Sequence, residues 1–91
     1  MKGLSDLRRE LDSIDGEIAA LLGRRMKIVD SIADFKAKSG TAVADPAREA
    51  EIIARVEALA GEGCAREARA LFSAIFELSR ARQKGRIGAK A

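Results

Sequence analysis

The sequence contains no histidine and only one cysteine, Cys64. Without histidine, the chain lacks the usual metal ligand and the usual general base of enzymes. A single cysteine can form neither an internal disulfide framework nor a cysteine-based zinc site. We therefore expect no metal and no cofactor, and any catalysis must use chemistry that needs neither a histidine nor a thiol.

Proline, aromatic residues and long apolar runs are also scarce. The chain has one proline and three aromatic residues, all phenylalanine. No segment alternates in the manner of a strand, and none is long enough to cross a membrane. The N-terminus leads directly into a charged segment and lacks the apolar region of a signal peptide. These features predict a single all-α domain over residues 1–91, in a cytoplasmic protein with no membrane partner.

The charged residues are mixed in sign, with 17 basic and 14 acidic side chains and a net charge of +3. This mild excess of positive charge suits an anionic partner, but does not by itself distinguish a small acid from a nucleic acid. A solvated helical surface would account for most of these charges.

Apolar residues recur at steps of three and four along most of the chain, which is the pattern of amphipathic helices. Ser5 or Asp6 can cap the first helix, and Asp45, followed by proline, can cap the second. The predicted helices span residues 5–39, 46–60 and 66–83, and a Gly- and Lys-rich tail, 84–91, is expected to fray.

The first helix is much longer than the other two. At about 1.5 Å per residue it would extend roughly 50 Å, about twice the length of either of the others. A monomer would leave half of its apolar stripe in water, and exposed apolar patches of that size usually mark an association surface. We therefore expect a homodimer in which the long helices pack against each other.

Polar side chains interrupt the apolar stripes of all three helices. Arg25 lies within roughly 20° of Ile14, Ile18 and Ile32 on the helical wheel, in the middle of the stripe. The other polar residues on apolar faces are Lys36, Arg48, Glu49, Ser79 and Gln83.

One interpretation is structural, with Glu49 paired to Arg25 or Lys36, for instance. However, the cations outnumber the one carboxylate of this set, so the excess of positive charge calls for a bound anion.

Arg8 points roughly 100° away from Arg25 and cannot easily reach the same interior from its own helix. In an antiparallel dimer, it could enter the cavity of the partner subunit. Alternatively, Arg8 is an ordinary surface residue, like Arg9.

Residues 7–15, residues 21–26, Lys36, residues 43–49 and the third helix form an ordered pattern along the chain. This ordered set resembles the all-helical class of chorismate mutase. Residues 7–15 are similar to the opening motif of that family, and residues 21–26 to its central arginine segment. Lys36 falls at the family's spacing, and residues 43–49 resemble the entry to the second helix. The final helix is matched by Leu71, Phe72, Ser79 and Gln83. The resemblance covers nearly everything from residue 4 to residue 83, although the connection 61–65 is short for the family.

The resemblance implies an intertwined homodimer of three-helix subunits that converts chorismate to prephenate without a cofactor. It implies that each active site receives one arginine from the other subunit, and Arg8 takes that position. By the same resemblance, Arg8 and Arg25 hold the carboxylates of the substrate, with Ser79 assisting and Arg48 supporting.

The remaining residues of the motif are implied to contact the reacting part of the substrate. Lys36 and Gln83 would point at the ether oxygen. Glu49, with the backbone near Asp45, would receive the ring hydroxyl. Asp45 is also expected to act as the helix cap that places Arg48 and Glu49.

Other functions stay open on sequence grounds. Related enzymes of the same fold eliminate pyruvate from isochorismate or rearrange aminodeoxychorismate, although Glu49 suits a hydroxyl and favours the mutase. A basic helical dimerisation or nucleic-acid-binding module is a further alternative. Its positive residues would have to lie on an exposed face, and here they lie on apolar stripes, so we expect no nucleic-acid partner. A fused or partner enzyme of the aromatic pathway is compatible with this sequence.

Overall fold

The computed structural model describes residues 1–90 and contains three helices. They are α1 (Leu4–Ser39), α2 (Pro46–Ala60) and α3 (Ala65–Lys90). No strand occurs within residues 1–90, so the prediction of an all-α fold is confirmed.

The ends of α1 follow from local backbone chemistry. The helix begins at Leu4, one residue before the predicted start, and neither Ser5 nor Asp6 is its N-cap. Asp6 instead lies in the first turn, where its Oδ2 accepts a hydrogen bond of 3.2 Å from the backbone N–H of Gly3. At the other end, Gly40 adopts a left-handed conformation with φ of 71°, and its N–H donates to the Lys36 carbonyl at 2.9 Å. This conformation is easily adopted only by glycine and terminates the helix.

The first turn of α2 is fixed by Asp45 and Pro46, as the sequence indicates. The Asp45 carboxylate accepts a hydrogen bond of 3.2 Å from the Arg48 backbone N–H. Pro46 occupies the first helical position, where its missing N–H leaves no bond unmade. Gly61, with φ of 89°, ends the helix.

The third helix is longer than predicted, because it continues past Gln83 as far as Lys90. The expectation that the tail frays from residue 84 is therefore wrong for the described residues, and Ala91 lies outside them. Two ion pairs hold this part of α3 to α1: Arg82, just before the extension, donates to Asp30 at 2.7 Å, and Arg86, within it, donates to Asp34 at 2.8 Å. The four-residue spacing on both helices allows the two pairs to form side by side.

Helix α3 packs against both α1 and α2, whereas α1 and α2 do not pack against each other within the described chain. The apolar core consists of Val29 and Ala33 from α1 and Phe76 from α3. This small core lies at the C-terminal half of α1. It leaves a cleft between α1 and α2, with α3 as its floor.

The N-terminal half of α1 projects away from the rest of the subunit. Every residue from 1 to 24 is exposed, including Leu11 at 56% and Ile18 at 51% of their full accessible area. The chain measures 57 × 25 × 14 Å, and its radius of gyration is 16.5 Å. A compact domain of this length would have a radius of gyration of about 12 Å. Among the described helices, none has both the length and the apolar character needed to cross a membrane.

The Asp30–Arg82 pair predicts how stability depends on pH. The hydrogen bond from Arg82 holds the pKa of Asp30 below its usual value. A carboxyl group with a lowered folded-state pKa contributes stability above its unfolded pKa of about 3.9, and this contribution is lost as the pH falls through the folded pKa. Asp30→Asn should therefore lower the midpoint of urea unfolding at pH 7, and the difference from wild type should shrink below about pH 4.

Glu77→Gln, which alters an exposed carboxylate on α3, is the matched control for this prediction and should leave the midpoint almost unchanged. Equal unfolding midpoints for Asp30→Asn and wild type at pH 7 would show that the ion pair does not hold α3 against α1.

Candidate active site

A cavity of about 260 Å³ lies in the cleft between α1 and α2. It is lined by Arg25, Val29, Ile32, Lys36, Val43, Asp45, Arg48, Glu49, Ile52, Phe76, Ser79, Arg80 and Gln83. The structure thus brings together every residue singled out from the sequence except Arg8. All three helices and the connection between α1 and α2 contribute side chains to the lining.

Arg25 lies at the junction of α1 and α3. Its Nη1 donates a hydrogen bond of 3.0 Å to Ser79 Oγ, and its guanidinium carbon is 5.8 Å from the centre of the Phe76 ring. Burial, and secondarily the positive charge of Arg48, hold the pKa of Arg25 below its usual value. Both effects disfavour the charged form of Arg25. A bound carboxylate would stabilise that form by accepting two hydrogen bonds from the guanidinium group.

Ser79 and Gln83 are buried polar residues on the face of α3 that forms the cavity floor. The Gln83 Oε1 atom is buried and has no hydrogen-bond partner among the residues that the structure describes. A buried polar atom without a partner costs about 1–3 kcal/mol. Since rotation of the amide by 180° exchanges its oxygen and its NH₂ group, Gln83 can offer either to a ligand in the cavity.

Lys36 links the last part of α1 to the connection that follows it. Its Nζ donates a hydrogen bond of 2.9 Å to the Val43 carbonyl. An ammonium group has three donors, so this contact holds the side chain beside the cavity and leaves donors for a ligand.

Arg48 is more exposed than its place on an apolar stripe predicted. Its side chain is 52% exposed, and it lies 3.9 Å from Glu51 in the first half of α2. The prediction that it lies on a buried face is wrong, because α1 does not cover this side of α2. Asp45 is also exposed, at the rim of the cavity, and its carboxylate serves as the cap of α2.

Glu49 pairs with Arg80, and not with Arg25 or Lys36 as the structural interpretation of the sequence suggested. Nη1 of Arg80 donates to both carboxylate oxygens of Glu49, at 2.7 and 2.6 Å. Sequence reasoning missed Arg80, although a signal was present. Arg80 follows the buried Phe76 by four residues, which places it about 40° from Phe76 on the helical wheel.

The lining has a clear excess of positive charge. Four cationic side chains (Arg25, Lys36, Arg48 and Arg80) face two carboxylates, Asp45 and Glu49. In a partly shielded cavity, such an excess favours a small ligand with two negative charges over a neutral one. The cavity can therefore bind a dianion and direct further donors at its uncharged oxygens.

Arg8 does not reach the cavity of its own chain. It is exposed on the projecting half of α1, 17 residues before Arg25, and this spacing corresponds to about 25 Å along the helix. Within one chain, Arg8 is a surface residue.

The cavity residues all lie within the segment that matches a known family. The model of the family described as chorismate mutase type II matches residues 7–84 of this chain. No solved structure matches the chain significantly.

Curated relatives show the same similarity. A bifunctional chorismate mutase/prephenate dehydratase from Aquifex aeolicus is 39% identical over 56 residues, which cover 62% of this chain and 16% of that protein. A chorismate mutase from Methanocaldococcus jannaschii is 32% identical over 59 residues, which cover 65% of this chain and 60% of that protein. The T-protein of Haemophilus influenzae is 37% identical over 49 residues, which cover 54% of this chain and 13% of that protein.

The chain thus spans less than two thirds of the length of each of these relatives. The family match is much more extensive and includes every residue that lines the cavity. The chain belongs to the chorismate mutase type II family.

Proposed function

We propose that this chain is a chorismate mutase, which rearranges chorismate to prephenate and so acts in the biosynthesis of phenylalanine and tyrosine. The observation that carries the proposal is the excess of positive charge in a cavity whose residues lie within the family match. Chorismate is a dianion with a ring hydroxyl and an ether oxygen. The cavity offers cations for the carboxylates and polar groups for both oxygens.

The proposed reaction is intramolecular, since one carbon–oxygen bond breaks as one carbon–carbon bond forms. It needs no proton transfer and no nucleophile. The enzyme has to hold the flexible dianion in its compact reactive conformation, which arginines achieve by contacting the carboxylates. It also has to stabilise the charge that develops on the ether oxygen, which preorganised donors in a shielded site achieve.

We assign the residues accordingly. Arg25, held by Ser79, binds one carboxylate, and Arg48 supports the same region from the rim. Lys36 and the NH₂ group of the Gln83 side chain donate to the ether oxygen. The burial of Gln83 on the cavity floor supports its assignment to a ligand contact. Glu49 accepts the hydrogen bond of the ring hydroxyl.

The second carboxylate needs a further cation, and we propose that Arg8 of a second subunit supplies it in an intertwined homodimer. The exposed apolar stripe on the projecting half of α1 supports this assembly. It comprises Leu4, Leu7, Leu11, Ile14, Ile18 and Leu21, each between 46% and 61% exposed. A dimer that buries this stripe would also enlarge the core, which contains three buried apolar residues in the part of the chain that the structure describes.

The alternative of a nucleic-acid-binding module is less well supported. Arg69, Arg82 and Arg86 lie outside the cavity, and each is held by a carboxylate of another helix. A phosphate backbone would have to displace these carboxylates. We further propose a cytoplasmic location. The prephenate dehydratase activity in the name of the Aquifex aeolicus relative supports a prephenate-consuming enzyme as a fused or separate partner.

A continuous assay of chorismate disappearance, with the product identified, tests the proposed activity. Purified chain should convert chorismate to prephenate without added metal or cofactor. A folded protein that leaves chorismate unchanged would overturn the proposal, and isochorismate and aminodeoxychorismate would then be the next substrates to assay.

Lys36→Ala should impair catalysis far more than folding. Removal of one preorganised donor to developing charge typically costs at least about 100-fold in rate, so we expect kcat/KM to fall by that order. The exposed Lys38→Ala is the matched control and should keep wild-type turnover. Thermal unfolding of both variants separates the catalytic from the structural effect, and near-normal turnover in Lys36→Ala would remove Lys36 from the mechanism.

The rate should be almost independent of pH through the neutral range. Gln83 is uncharged at every accessible pH, and Arg25 stays protonated although burial lowers its pKa, since arginine does not lose its proton in proteins. The sequence also lacks histidine, whose charge changes near pH 6.5. A profile of kcat from pH 6 to pH 8 is the measurement, and a steep loss of rate within that interval would contradict the assigned donors.

Mixing two inactive variants tests whether Arg8 acts across the dimer. In a mixed dimer of Arg8→Ala and Arg25→Ala, one of the two sites would hold both an intact Arg25 and an intact Arg8 of the other subunit. Random reassembly should therefore restore about a quarter of the wild-type activity.

If Arg8 acted within its own subunit, no site in the mixed dimer would be intact and the mixture would stay inactive. The neighbouring Arg9→Ala is the matched control and should be active without mixing.

A further inference from the structure

The Arg80–Glu49 pair is a short ion pair in the lining of the cavity. The family resemblance gives a role to Glu49 but none to Arg80. The pair joins α3 to α2, and both Glu49 oxygens receive hydrogen bonds from one Arg80 nitrogen, at 2.7 and 2.6 Å. The two side chains are 31% and 28% exposed, and both line the cavity. Both side chains are therefore accessible from the cavity, and the charge and position of the pair bear on what a ligand meets there.

The pair constrains what Glu49 can do. A carboxylate has about four lone-pair positions, so the two hydrogen bonds from Arg80 leave room for one from a ligand. They also fix the direction of the side chain, because Arg80 is anchored on α3 beside the buried Ser79. Asp45, the other carboxylate of the lining, is the cap of α2, whereas Glu49 has no capping role and lines the cavity as a hydrogen-bond acceptor.

The pair also sets the charge that a ligand meets. An unpaired carboxylate in a partly shielded site would bind an ammonium group more strongly than a hydroxyl, because the ammonium group adds the attraction of opposite charges to the hydrogen bond. Arg80 removes this preference in two ways. It neutralises Glu49, and its own positive charge repels a second cation placed beside the carboxylate.

We propose that Arg80 is a positioning and specificity-determining residue, which holds Glu49 as an acceptor for a neutral hydroxyl and disfavours substrates with an ammonium group in its place. This inference rests on the proposed function, because it takes Glu49 as the acceptor for the ring hydroxyl of chorismate. Arg80 acts through Glu49 and is not assigned a contact with the reacting atoms.

The test compares chorismate with its analogue that has an amino group in place of the ring hydroxyl. The readouts are kcat and KM for chorismate, and the inhibition constant of the amino analogue against chorismate turnover. Their ratio, KM divided by the inhibition constant, measures the preference of the site for ammonium over hydroxyl. A purely structural role of Arg80 would alter stability without altering this ratio.

Arg80→Gln removes the charge and keeps a hydrogen-bond donor of similar shape. We expect the ratio to rise about tenfold in favour of the amino analogue, because its ammonium group could then form an ion pair with Glu49. Arg80→Lys restores the charge and should restore most of the wild-type ratio. Arg82→Gln breaks an equally short ion pair of the same helix outside the cavity, so it is the matched control and should leave the ratio unchanged.

Glu49→Gln provides an independent arm if Arg80→Gln does not fold. It leaves the charge of Arg80 unbalanced, so the amino analogue should bind more weakly than to wild type, relative to chorismate. The expected tenfold change corresponds to about 1.4 kcal/mol. Ratios within about twofold of wild type in the variants of Arg80 and Glu49 that fold would overturn the inference. If the wild-type chain fails to convert chorismate at all, the proposed function fails instead, so the two failures are distinguishable.

Discussion

The hydrogen bond from Arg25 to Ser79, at 3.0 Å, joins α1 to α3 at the point on which the cavity depends. It places a partly buried cation above the floor of the cavity, next to the face of Phe76. The Glu49–Arg80 pair joins α2 to α3 in the same way. Because α1 and α2 do not pack against each other within the described residues, their positions on either side of the cleft depend on what holds each of them to α3, and these two contacts lie at the cavity itself.

The same arrangement leaves the subunit with little apolar core of its own. Among the described residues, only Val29, Ala33 and Phe76 are buried apolar residues, so the subunit alone buries little apolar surface to offset the conformational entropy of folding. The projecting half of α1 presents its leucines and isoleucines to water. Folding of the subunit and completion of the active site are therefore connected in the proposed dimer. Association of the two subunits would bury the apolar surface of α1 and would also bring Arg8 to the cavity of the other subunit.

Much of the fold and part of the candidate site could be predicted from the sequence. The apolar periodicity gave the three helices, and it placed Arg25, Glu49, Ser79 and Gln83 among apolar neighbours, where the structure finds them partly or fully buried. The end of α3 could not be predicted, because it depends on Arg82 and Arg86 meeting carboxylates 52 residues earlier in the chain. No local pattern reports such a distant pairing, and Gly85 and Gly88 favoured an earlier end of the helix.

Arg80 and Arg48 show a second limit of sequence reasoning. A helical wheel gives directions around one helix, but not which helix covers which side. Arg80 and Arg82 lie two residues apart on α3, but Arg80 pairs with Glu49 of α2 and lines the cavity, whereas Arg82 pairs with Asp30 of α1 outside it. Arg48 shares a stripe with Ile52, yet it is exposed because α1 leaves that side of α2 uncovered.

A crystal structure of the chain with bound prephenate would test most directly whether the positively charged cavity is a site for this dianion. Prephenate should lie between α1 and α2, with one carboxylate on Arg25, the other on Arg8 of a second subunit, and the ring hydroxyl on Glu49. Prephenate bound elsewhere, or bound in the cavity with Arg8 of neither subunit in contact, would contradict it.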